Sequence, residues 1–290
     1  MPGSGFGRFR PMHPASRWRE GKPVLEAISG LTILALMGLS AAIGVRLVRL
    51  GSRDEGGPEL WLGLYFLIYG CLATTASLAT YLGWSAPDVA FSDGTTRLLN
   101  AAFFGLSTIG MTCLLLFTQR TFHPNSRGAR AFVWGIAVLM VAAAIEVGVT
   151  EGFEVRVLNG VPYWIHFSAR LVPFVWVATE SLRYRSLLQR RVAIGLADPL
   201  VANRFLLWGL WSAVLAVMAF ADPLARFWYW SLTGTTTEWI AAVGRPIIDV
   251  VVPFSAACGV AAVTLLFLTF FPTASYRRWV EQRHAVATAG

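Results

Sequence analysis

The sequence predicts an all-α polytopic membrane protein: a seven-transmembrane helix bundle with its N-terminus outside and its C-terminus cytoplasmic. Three observations carry this prediction. The chain has 290 residues, of which 56% are apolar and 14% charged, whereas a soluble domain is roughly a quarter charged. Its apolar residues collect in runs of about 20, the length that crosses hydrocarbon as a helix. Those runs do not alternate at a period of two, which argues against a barrel. Helices and closed barrels are the structures that satisfy every backbone amide in lipid.

The runs fall at about 25–47, 60–82, 98–118, 131–150, 161–182, 200–221 and 246–271. Together they make a transmembrane domain over 25–271. Residues 1–24 form a basic, Pro-rich segment without periodicity, expected to be flexible, and 272–290 form a basic cytoplasmic tail. The first run is too long for a signal-peptide core, and Arg46 and Arg49 follow it as a stop-transfer flank does.

Orientation is read from arginine placement, because 23 of the 24 basic residues are Arg. Arg46, Arg49 and Arg53 follow the first span. Arg120, Arg127 and Arg130 follow the third, and Arg183, Arg185, Arg190 and Arg191 follow the fifth. Arg277, Arg278 and Arg283 lie in the tail. The intervening connections hold Arg97, Arg156 and Arg226. The positive-inside rule places the richer set in the cytoplasm. The N-terminal stretch "GRFRPMHPASRWREGK" dissents and is outvoted by three loops and the tail.

The connection after the fifth span is the most legible. Its helix is expected to run on through "RYRSLLQRRVAI" to a Gly195 C-cap, with Asp198 as N-cap and Pro199 opening the next helix. These basic inner loops are first an orientation signal and second a docking surface for a cytoplasmic partner. Trp228, Tyr229, Trp230 and Trp239 in the last outer connection suit an aromatic belt. Gly63 and Gly70 in the second span, and Gly105 and Gly110 in the third, suit close helix contact.

Charge inside the spans is the feature that asks for a function. Arg170 lies nine residues into the fifth span, roughly 13 Å deep at about 1.5 Å per residue. An unpaired arginine there is costly, so it must face protein or water. His166 is one turn above it on the same face. Glu146 and Asp249 are the candidate counter-charges, with Arg245 four residues before Asp249. Glu180, nearer the inner boundary, is expected to pair with Arg183 or Arg204. Pro173 frees the carbonyl of Ala169 and Pro253 frees that of Asp249. Arg170, His166, Glu146, Asp249 and Arg245 are therefore the candidate ligand-binding set, with Glu180 and Arg204 a polar pair on the cytoplasmic side. The competing reading is an ion pair that fixes helix packing.

Several chemistries are disfavoured. A retinal pigment needs a lysine within a span, and the single lysine is Lys22. Zinc wants three or four ligands, and of the four histidines His166 alone lies in a span. Cys71, Cys113 and Cys258 lie in apolar runs without a CxxC pair. No Gly-rich phosphate loop is present. No cofactor, metal or catalytic residue is expected. The net charge of +8 serves the bilayer rather than nucleic acid, because it is dispersed between spans.

"PELWLGLYFLIYG" (58–70), "RRVAIGLADPLVANRFLLWG" (190–209) and "FFPTASYRRWV" (270–280) resemble a group of bacterial seven-span integral membrane proteins without an established activity. The resemblance implies a multi-pass protein of the bacterial inner membrane and transfers no functional residue. The function expected is a non-enzymatic, receptor-like sensor that binds a small ligand at the outer polar cluster. The runner-up is a small-solute transporter or channel component, and an intramembrane enzyme comes third.

Overall fold

A computed structural model of the chain describes residues 22–53, 57–85, 92–154, 160–233 and 248–289. Among these every element is helical. In chain order they are α1 (Lys22–Gly51), α2 (Pro58–Tyr65), a π-helical segment (Phe66–Ala73), α3 (Thr74–Ser85), α4 (Asp93–Phe122) and α5 (Arg127–Thr150). After these come α6 (Val161–Ala193), α7 (Pro199–Thr233), α8 (Ile248–Phe270) and α9 (Ala274–Ala289).

The helix starts are written in local chemistry. Ser92 and Ser126 cap α4 and α5 by accepting from the amides of Thr95 and Ala129. Asp198 accepts from the Leu200 amide at 2.7 Å as Pro199 opens α7. At the end of α6, Gly195 takes φ +72°. The Gly195 amide donates to Val192 and the Leu196 amide to Arg191, the paired bonds of a Schellman motif. The basic hairpin between α6 and α7 thus has the capping expected of it.

Six stretches are long and apolar enough to cross a bilayer: Gly30–Gly51, Pro58–Thr80, Asp93–Phe122, Arg127–Thr150, Pro199–Ala221 and Pro253–Phe270. Helix α6 is not among them. Its 33 residues are ample in length, but His166, Arg170, Glu180 and the arginine run beyond them dilute its apolar character.

The helices close into a ring. α1 packs on α2 and α8, α4 on α2, α5 and α6, and α7 on α6 and α8. Aromatic side chains fill the centre. Tyr65, Phe66, Phe174, Trp208 and Trp211 are all buried. Trp208 stacks on Trp211 at 4.6 Å, and Phe66 meets Trp208, Trp211 and Phe270. Each such ring buries roughly 150–250 Å² and contributes correspondingly to the core.

One local expectation, for Gly105, is corrected, and two features had no reading in the sequence. The second span is not uniform: its middle is the π-helical segment, where Thr74 Oγ1 donates to the Tyr69 carbonyl five residues back at 3.0 Å. A π turn inserts one residue and rotates the remainder of the helix, and such turns recur at functional sites. Gly63, Gly70 and Gly110 do sit at close approaches, against Val48, Ser40 and Tyr69, but Gly105 faces open space. The basic tail, for which the sequence offered no element, forms α9. Its Val280 is buried, and its Tyr276 bonds Asn203 of α7. The Trp228, Tyr229, Trp230 and Trp239 side chains lie outside the described residues.

Candidate functional site

One group of polar side chains within the apolar bundle lies toward the end that carries the α5–α6 connection, the end expected to face outward. They are organised by one stripe of α4. Arg97, Asn100, Phe104 and Thr108 succeed one another at three- and four-residue steps and so share a face. Arg97 pairs with Glu154. Asn100 donates to the Phe153 carbonyl at 2.8 Å. The Phe104 ring packs against Phe153 and against His166, the latter at 4.6 Å. Thr108 Oγ1 lies 3.0 Å from His166 Nε2.

The Thr108–His166 bond fixes the imidazole. The Thr108 hydroxyl has one proton, and it goes to the Phe104 carbonyl at 2.9 Å. Nε2 of His166 therefore carries a hydrogen and donates to Thr108. Nδ1 is left as the acceptor of the neutral ring, and it makes no hydrogen bond among the described residues. His166 is 2% exposed, so this geometry is protected from water.

Arg170 sits one turn deeper on α6. Its guanidinium lies over the rings of Phe103 and Phe167, at 5.0 and 5.1 Å from their centroids. Such ring faces stabilise a cation without neutralising it. Among the described residues no carboxylate pairs with Arg170. The expected partner Glu146 is exposed on α5, so the Arg170–Glu146 ion pair does not form. Asp249 lies in the first turn of α8, which packs chiefly on α1 and α7. The Asp249 side chain and the whole of Arg245 lie outside the described residues.

Glu180 is also corrected. It pairs neither with Arg183 nor with Arg204, which is exposed. Its Oε1 lies 3.0 Å from Nε2 of His123, whose ring stacks on Trp176. The cause is the crossing of α4 and α6, which sets the C-cap residue of α4 directly against Glu180.

Two features at this end had no reading in the sequence. Gly152 and Phe153 both take positive φ, +58° and +57°. For phenylalanine that conformation is strained and is held by its surroundings. The Phe153 ring is clamped by Phe104 and by the flat side of Gly148. Beside it, Glu151 is buried, and its carboxylate lies against Gly160 without a well-formed hydrogen bond to either oxygen. Burial raises the Glu151 carboxyl above its ordinary 4.5, and the Gly160 amide opposes part of that rise. The usable signal was the polar stripe at helical spacing inside an apolar α4.

No protein-family model, curated protein or solved structure matches the chain. Its function is therefore argued from its own residues.

Proposed function

We propose that this protein is a seven-span integral membrane sensor of the bacterial inner membrane. On this reading it binds a small ligand with an anionic group from the outer side and relays occupancy through its basic cytoplasmic face. The supporting observation is Arg170, a guanidinium roughly 13 Å into α6 at about 1.5 Å per residue, held by two aromatic faces and paired with no described carboxylate. An intramembrane cation kept at this energetic cost is a functional site by default. A carboxylate or phosphate would take the guanidinium's two parallel donors.

In this reading α6 is the seventh crossing, its charges sheltered by α4, α5 and α7. The arginine-rich connections and α9 face the cytoplasm, and the N-terminus is outside. The central aromatic packing favours sensing over conduction, because a transporter needs a polar path through both leaflets.

The test is a thermal-shift screen of the detergent-purified protein against short carboxylates, amino acids and inorganic phosphate. Wild type is run beside Arg170→Ala and Arg170→Lys. A ligand at about a hundred times its Kd stabilises by about 2.7 kcal/mol. A shift in wild type that Arg170→Ala abolishes supports the site. A shift equal in all three proteins, or none for any compound, rejects it. Reporter fusions at Gly290 decide orientation, since a reporter active in the periplasm alone overturns the topology.

A further inference from the structure

We propose that the groove between α5 and α6 is a binding site for one anionic glycerophospholipid of the leaflet on the basic side of the bundle. The groove has a volume of about 650 Å³ and is open along its length. Phe132, Leu171, Val175 and Trp176 form its apolar walls, and Phe132 and Val175 are themselves exposed, facing where acyl chains run. Ser168 lines it farther along α6 from the basic end, and Thr179, His123 and Ser126 line it nearer that end.

Length identifies the occupant. From Ser168 to Thr179 along α6 is roughly 16 Å at about 1.5 Å per residue. One leaflet of hydrocarbon is roughly 15 Å, half of the full thickness. The groove therefore suits an acyl chain of one leaflet and is too short for a crossing helix.

Charge selects the headgroup. Arg127 and Arg130 are exposed in the first turn of α5, beside the lining residues Gly128 and Ala129. Arg183 lies one turn beyond Thr179 on the same face of α6 and is also exposed. None of the three makes an ion pair among the described residues. The nearby carboxylate of Glu180 is engaged by His123. Arg183 on the lining face of α6, and Arg127 and Arg130 at the same end of α5, thus bring three guanidiniums without an ion pair among the described residues to the level of the groove's basic end, where anionic headgroups are attracted.

Native mass spectrometry of the full chain, titrated with dioleoyl-phosphatidylglycerol or dioleoyl-phosphatidylcholine, tests this. A first phosphatidylglycerol is expected to bind about tenfold more tightly than phosphatidylcholine. Combined Arg127→Gln, Arg130→Gln and Arg183→Gln removes that preference. All three side chains are exposed, so folding is retained. Val175→Trp fills the slot and weakens both lipids. Combined Arg46→Gln, Arg49→Gln and Arg53→Gln removes the same charge elsewhere and leaves the preference intact. The inference is overturned by equal binding of the two lipids to wild type, or by equal effects of the two arginine sets. It is equally overturned if the slot is closed by a second copy, seen as a dimer that neither lipid dissociates.

Discussion

Thr108 and His166 stand 58 residues apart in sequence and 3.0 Å apart in the bundle, and the hydrogen bond between them fixes which imidazole nitrogen is free. Thr108 spends its proton on its own helix, at the Phe104 carbonyl. It can then only accept from His166, whose Nδ1 is left available beside Arg170. A helix-internal bond of a common kind thereby sets the acceptor pattern of the candidate site.

Thr108→Val therefore tests the site's framework. It keeps the shape and deletes the acceptor, leaving a buried N–H without a partner. The expected loss is about 1–3 kcal/mol of stability, read as a lower thermal midpoint in detergent. Thr108→Ser restores the oxygen and recovers most of it. If valine and threonine were equally stable, Nε2 would not be donating here.

The pair of Glu180 and His123 invites a double-mutant cycle. Its carboxylate side chain is 14% exposed and its imidazole 32% exposed, so the pair is only partly screened. Glu180→Gln and His123→Gln should couple by about 0.5–2 kcal/mol. Arg204→Gln should couple with Glu180→Gln by nothing measurable, since Arg204 is turned outward.

Glycines 105 and 110 make a matched comparison on one helix. A Cβ at position 110 would stand 2.6 Å from the Tyr69 Cβ and 3.0 Å from its backbone nitrogen, on the π-helical segment. Backbone cannot yield as a side-chain tip does, so Gly110→Ala should cost about 1–3 kcal/mol. Gly105→Ala meets open space and should stabilise α4 by up to about 1 kcal/mol through helix propensity alone. Thermal midpoints of the two variants should move in opposite directions.

Glu151 predicts a pH dependence of definite sign. Its folded carboxyl is raised above 4.5 by burial. Between the unfolded and folded values the unfolded chain has lost its proton while the folded one keeps it. Stability therefore falls as pH rises through that window and stays lower above it. Glu151→Gln, which cannot ionise, should match wild type at low pH and exceed it near neutrality. Thermal midpoints scanned from acid to neutral pH read the difference. A wild type that gained stability relative to the variant on raising pH would reverse the assignment.

Much of the architecture was legible because it is encoded locally. Apolar runs of spanning length, Asp198 before a helix start and Gly195 after a helix end are all features of the local sequence. The depth of Arg170 along α6 comes from counting residues. Even the polar stripe of α4 was present in the spacing of Arg97, Asn100, Phe104 and Thr108, and required only the helical period to be seen.

What the sequence by itself determined, then, is that the long apolar runs are helices, how the α6–α7 hairpin is capped, and that α6 carries charge within an otherwise apolar stretch. Which side chains answer that charge was decided by tertiary structure. One residue's step turns a helix by about 100°, so the azimuth and register of each rod settle its partners, and neither is written in its own hydropathy. That is why Glu180 meets His123 rather than Arg204, and why Glu146 points away. It is also why Arg170 rests on the faces of Phe103 and Phe167 instead of a carboxylate.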